Sequence, residues 1–81
     1  ENLFEARGRD ASPLDVVADW AAEASAYNYR TNTCNGKCGH YTQLVWRSTR
    51  EVGCAAAHQP GRQVVVCEYN PPGNWQGQRP W

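Results

Sequence analysis

Eighty-one residues make one small domain at most, and a chain of that length buries only about 60–65% of the surface its unfolded form exposes. Eight basic and eight acidic side chains give a formal net charge of zero, which removes the electrostatic case for nucleic acid or an anionic membrane surface as the main partner. No apolar run approaches the roughly 20 residues of a membrane span, and 41% hydrophobic residues with four tryptophans and four tyrosines argue against disorder.

Residues 1–11 open on Glu1-Asn2-Leu3-Phe4 and pass into a charged stretch from Glu5 to Asp10, which reads as a short helix or turn followed by a loop. A helix start follows: Ser12 as N-cap, Pro13 at the first helical position and Asp15 three residues after the cap. The spacing predicts a helix from Pro13 to about Tyr27, with Val16, Val17, Trp20, Ala24 and Tyr27 on one apolar stripe. Glu23 lies at the edge of that stripe, about 60° from Trp20, where a carboxylate breaks the binary pattern and needs a partner or an exit to water.

From Asn28 to Gly39 the residues are turn formers. His40–Trp46 is aromatic and β-branched and reads as a strand, with His40, Thr42, Leu44 and Trp46 on one face. Two more strands, Val52–His58 and Gln63–Tyr69, flank Gln59-Pro60-Gly61-Arg62. A two-residue loop at Pro60-Gly61 puts Cys54 opposite Cys67 at a non-hydrogen-bonded position, where side chains approach most closely. Pro-Gly favours a type II turn, so a longer loop stays open. The tail from Pro71 to Trp81 is irregular and carries two tryptophans.

Four cysteines in so short a chain read first as two disulfides formed outside a reducing cytosol. Cys34 and Cys38 would close a small ring ahead of His40, and Cys54 with Cys67 would clamp the hairpin. Zinc competes, because Cys34, Cys38 and His40 cluster, but the spacings are C-x3-C and C-x12-C, without the CxxC pairs usual for structural zinc.

Gly39-His40-Tyr41-Thr42-Gln43-Leu44-Val45-Trp46-Arg47-Ser48-Thr49 resembles the first signature of the CAP superfamily, which holds the cysteine-rich secretory, antigen 5 and type 1 pathogenesis-related proteins. Val65-Val66-Cys67-Glu68-Tyr69-Asn70-Pro71-Pro72-Gly73-Asn74-Trp75 is similar to the second. Glu1-Asn2-Leu3 resembles the family's Gly-Glu-Asn segment, and Asn32-Thr33-Cys34 through Cys38 is nearest the pathogenesis-related branch. The resemblance implies an α/β fold of the α+β type: a partial α-β-α sandwich with an antiparallel sheet of about three strands and one main helix. It also implies that residues 1–81 are a partial domain lacking the N-terminal half, with one sheet face left uncovered for self-association.

Carried over residue by residue, the family's cleft of two histidines and two glutamates maps Glu1, Glu23 and His40, while its first histidine has no counterpart. His58, beside the hairpin turn, reads as solvated. His40 is the metal ligand the resemblance implies, for Zn²⁺ in the intact domain, and weak or no zinc binding is expected of this chain; no cofactor is required. The loop holding Tyr27, Tyr29 and Asn32 matches the segment implicated in sterol binding. The implied function is a secreted protein binding sterol or another lipid in defence or host interaction, without catalysis. The alternatives are a metal-dependent, protease-like hydrolase using the histidine-glutamate cleft, and a precursor whose residues 71–81 are released as a signalling peptide. Ser48 and Thr49 lie past His40 without an evident base and orienter. Glu68, where relatives carry a neutral or basic residue, is expected to face solvent or pair with Arg62 or Arg47.

Overall fold

Ser12 caps the first helix reciprocally. Its hydroxyl accepts from the Asp15 amide at 3.1 Å, and the Asp15 carboxylate accepts from the Ser12 amide at 2.9 Å. In the computed structural model, which describes residues 1–81, this helix α1 spans Pro13–Ala21 and tightens into a 3₁₀ turn over Ala22–Ala26. Ahead of it lies β1 (Asn2–Arg7); after it come β2 (Tyr27–Asn28), β3 (Thr33–Cys34), α2 (Gly39–Leu44), β4 (Glu51–Gln59) and β5 (Arg62–Asn70).

The main sheet is antiparallel in the order β1-β5-β4, and β2 pairs with β3 in a separate two-stranded ladder. In the β4–β5 hairpin Gln59 faces Arg62 and Cys54 faces Cys67, so the loop has two residues. Pro60 precedes Gly61 at φ +73°, the left-handed conformation that the second central position of a type II turn requires. A disulfide joins Cys54 to Cys67, and a second joins Cys34 to Cys38.

Alternation along β1 turns Asn2, Phe4 and Ala6 toward α1 and leaves Leu3, Glu5 and Arg7 outside. Val16 and Trp20 pack on this face with Ala6, Ala11 and Cys67, flanked by Phe4, Leu44, Val65 and Tyr69. Buried Gln63 accepts from the Ala11 amide and donates to the Ala11 carbonyl, pinning the chain that enters α1. The helix covers β1 and β5, whereas every residue of β4 is exposed. On the opposite face Leu3 stands 52% exposed.

Three expectations are corrected. Residues 2–7 form a strand, not a helix or turn: their partner is β5, with Asn2 opposite Cys67 and Arg7 opposite Arg62, a pairing no local signal announces. His40–Trp46 is not a strand; residues 39–44 are helical, for a reason given below. The α1 stripe holds for Val16 and Trp20 but not for Val17 or Ala24, which are exposed. Val17 borders the groove between α1 and β4, where nothing covers it. Beyond Ala21 the tighter 3₁₀ winding of about three residues per turn breaks the phase, turning Ala24 out.

Candidate functional site: a histidine-carboxylate cleft

The 3₁₀ turn after α1 carries Glu23 toward the start of α2. One carboxylate oxygen, Oε1, accepts from the backbone amides of His40 at 2.9 Å and Tyr41 at 3.1 Å. The other, Oε2, lies 2.7 Å from His40 Nδ1. Glu23 is therefore a helix cap supplied from another element. Cys38, the residue in the N-cap position of α2, makes no side-chain cap of its own, its sulfur being committed to Cys34. Two orphan amides of α2 meet a full negative charge, which favours helix over strand for this aromatic, β-branched segment.

Burial raises the pKa of the Glu23 carboxyl. The hydrogen bonds from the His40 ring and the Tyr41 and His40 amides, with the charge of His40, outweigh that effect and hold it below its ordinary value of 4.5. Since the ionised carboxylate only accepts, Nδ1 must donate. The neutral imidazole is then the Nδ1–H tautomer, and Nε2 is left as an uncommitted base. The ring is further located by Trp20, 1% exposed, whose plane lies at 21° to the imidazole with centroids 6.0 Å apart. Trp20 Nε1 donates to the Leu3 carbonyl at 3.2 Å.

Two buried amides that carry no distinguishing mark in the sequence complete the frame. Asn2, 1% exposed, donates to the His40 carbonyl at 3.1 Å and to the Tyr69 hydroxyl at 3.0 Å, binding β1 to α2 and β5. Burial holds the Tyr69 hydroxyl above its usual pKa, and the Asn2 bond only partly offsets it. Gln43, 2% exposed, donates to Thr49 Oγ1 and accepts from the Gly73 amide, fastening the tail to α2.

His40, Glu1, Asn2, Lys37 and Asn74 line one open depression of about 500 Å³ beside the Cys34–Cys38 bridge. Glu1 thus borders the same hollow as His40, and its side chain also meets Glu68. Glu68 is exposed, the solvent-facing one of its two expected settings, and lies beside Glu1; Arg62 pairs with Glu5 instead. The hydrogen bond with Glu1, partial desolvation and the Glu1 charge raise the Glu68 pKa, against the lowering pull of the terminal ammonium. His58 lies opposite Gln63 on the exposed hairpin, away from the cleft residues.

The loop residues are braced by contacts within the protein. Tyr27 Oη donates to Asn32 Oδ1 at 2.8 Å, and its ring sits 6.1 Å from that of Tyr41. Tyr29 stacks on Trp81 at 4.6 Å, donates to the Trp81 carbonyl and lies under the Arg79 guanidinium. Asn32 holds φ +52° and donates to the Gln78 carbonyl at 3.4 Å.

The residues present do not fit a zinc ion. No group of three His, Cys, Asp or Glu side chains converges on one point. Both Glu23 oxygens are already bonded, the cysteines are disulfides, and only His40 Nε2 and the Glu1 carboxylate remain at the hollow. Zinc sites need three or four placed ligands. Calorimetry at neutral pH should find no zinc affinity tighter than about 1 μM, and a sub-micromolar constant would contradict this reading.

The profile of the cysteine-rich secretory protein family, CAP, matches residues 3–69. The chain is 48% identical over 82 residues to pathogenesis-related protein 1 of Arabidopsis thaliana, covering all of this chain and 50% of that protein. It is 46% identical over 84 residues to the PR-1 type pathogenesis-related protein of Sambucus nigra, again covering all of this chain and 50% of the relative. The chain spans about half the length of these curated relatives. The structure superposes on Schistosoma mansoni venom allergen-like protein 4 with a TM-score of 0.85 at 32% identity, covering 99% of this chain and 48% of that one. The profile spans most of the chain, and the relatives and the superposition point the same way: the chain belongs to the cysteine-rich secretory protein (CAP) family.

Proposed function

We propose that the chain is part of a secreted CAP domain serving defence or host interaction, and that its activity is binding of a sterol or another lipid at the loop of Tyr27, Tyr29 and Asn32. Residues 1–81 are read as the second half of that domain. The observation that carries the binding assignment is the bracing of the loop. A two-stranded ladder, the Cys34–Cys38 bridge and the Tyr27–Asn32 hydrogen bond hold Tyr27 half-buried. Tyr29, 38% exposed, is backed by Trp81. Rigid aromatic faces with hydroxyl edges suit a flat apolar ligand bearing one polar group, because little conformational freedom is lost on binding. Two disulfides are consistent with export, where thiols oxidise and persist.

Hydrolysis at the Glu23–His40 cleft is the competing reading. Its support is the uncommitted Nε2 of an imidazole oriented by a carboxylate, half of what a general base requires. The uncovered sheet face with Leu3 exposed supports self-association as a secondary property. Release of residues 71–81 gains no support from the geometry, since Arg47, Gln43, Thr42 and Tyr29 all hydrogen-bond to that segment.

A sterol-extraction assay on the protein decides between the two activities. Tyr29→Ala removes the ring stacked on Trp81 and should weaken lipid capture about tenfold, while His40→Ala should leave capture within about twofold. Peptidase turnover abolished by His40→Ala, with no lipid retained by the wild type, would overturn the binding assignment.

A further inference from the structure

At the far end of α2 the chain turns through Trp46-Arg47-Ser48-Thr49-Arg50 and is met by the returning tail. Trp46, Arg47, Ser48, Arg50, Arg79 and Trp81 line an open depression of about 320 Å³ that shares no residue with the histidine cleft. Three of the eight cationic side chains gather here, although the whole chain is neutral. None of them takes part in an ion pair: the four in the molecule use Arg7, Arg9, Arg62 and His40. The guanidiniums of Arg47 and Arg50 make no hydrogen bond within the chain, whereas that of Arg79 is bonded to the Tyr29 and Arg30 carbonyls. Glu51, the adjacent acid, accepts from Asn70 instead.

The backbone beneath these charges is fixed. The Arg47 amide donates to the Pro80 carbonyl at 2.8 Å, the Arg50 amide to Asn70 at 3.0 Å, and the Thr49 amide to Trp46 at 3.2 Å. Between them Ser48 is exposed, with neither its amide nor its hydroxyl bonded to the protein. Three cations that line one depression and have no ion-pair partner favour an anion there. The uncommitted guanidiniums of Arg47 and Arg50, on a pinned backbone, with the free Ser48 hydroxyl and amide match the donors a tetrahedral oxyanion takes up. Trp81, stacked on Tyr29 and still 49% exposed, forms an apolar rim against which a sugar ring can lie.

We propose that this depression binds a sulfate or phosphate ester carried on a saccharide. A discrete ester suits the patch better than a membrane surface does, because polybasic adsorption calls for a run of about 4–8 cations and the chain is otherwise neutral. The depression shares Trp81 and Arg79 with the backing of Tyr29, but Arg47 and Arg50 make no hydrogen bond or stacking contact with the lipid loop, so changing them tests this site separately.

The test is calorimetric titration of the protein with a sulfated heparin-derived tetrasaccharide, with its desulfated counterpart, with inorganic sulfate, and with vesicles of phosphatidylcholine and phosphatidylserine. The sulfated sugar should bind in a salt-sensitive manner, the desulfated one should not, and sulfate alone should bind more weakly. Arg47→Gln with Arg50→Gln should weaken sugar binding about tenfold or more, while Arg7→Gln with Arg9→Gln, at a remote basic pair, should change it less than about twofold. Arg47→Lys with Arg50→Lys, which keeps the charge but loses the planar fork, should fall between. Unchanged affinity in the Arg47/Arg50 variant, equal loss in the Arg7/Arg9 control, or preference for the charged vesicles would each overturn the assignment.

Discussion

Replacing Glu23 by alanine should destabilise the protein by about 2–3 kcal/mol, a fall in Tm on the order of 10 °C for a chain of this size. The side chain is only 15% exposed and makes three hydrogen bonds, two of them to the amides that open α2. Alanine leaves those amides without a partner and the His40 ring without its orienting acceptor. Glutamine separates the two roles. Its carbonyl oxygen can still accept from the amides, but its NH₂ must donate to Nδ1, which moves the ring proton to Nε2. Glu23→Gln should therefore cost about 1 kcal/mol while switching the His40 tautomer, readable in the imidazole nitrogen shifts.

The pH dependence follows from the direction of the carboxyl shift. Glu23 has a folded pKa below its ordinary value of 4.5, so its stabilisation is fully present above that pH and is lost as pH falls through the lowered folded value. The stability gap between the wild type and Glu23→Gln should be constant near neutrality and close in acid, below about pH 4. A gap that persisted at pH 2, or a His40 ring whose tautomer ignored the substitution, would show that the carboxylate does not hold this helix.

What could be read in advance and what could not divides by range of interaction. The α1 start was legible because Ser12, Pro13 and Asp15 form their cap within four residues. The hairpin was legible because one turn fixes the whole register, and with it the meeting of Cys54 and Cys67. Strand β1 hid its alternation behind charges, and its partner begins 55 residues after it ends. α2 was misread as a strand because His40, Tyr41, Thr42 and Val45 carry strand propensity, and the carboxylate that overrides it comes from Glu23, 17 residues upstream. The same bond explains why Glu23 could be singled out at all. A carboxylate on the border of an apolar stripe needed a partner or an exit to water, and it has a partner that is both an imidazole and a helix terminus. Asn2 and Gln43 escaped because a buried amide looks, in sequence, like any exposed one.

Gly73→Ala should cost about 2–3 kcal/mol, although the change adds a single methyl group. A Cβ at this position would lie 2.4 Å from Trp46 Cγ, 2.6 Å from Cδ2 and 2.8 Å from Cδ1. The Trp46 ring cannot easily retreat, because the residue is 7% exposed and its amide and carbonyl are bonded to Gln43 and Thr49. The tail must move instead, and that breaks the bond from the Gly73 amide to buried Gln43. The loss should appear as a lower Tm, a changed near-ultraviolet tryptophan signal and faster proteolysis after Asn70. Gly53→Ala is the control: a methyl group there would meet no atom within 4 Å, and its effect should stay within about 0.5 kcal/mol. Shrinking the ring with Trp46→Leu should make the two changes non-additive, the pair costing less than the sum of the singles by about 1 kcal/mol or more. Simple additivity, or a Gly73→Ala protein that melts with the wild type, would mean that the tail is not seated on that indole, and the basic depression that the tail helps to close would lose its floor.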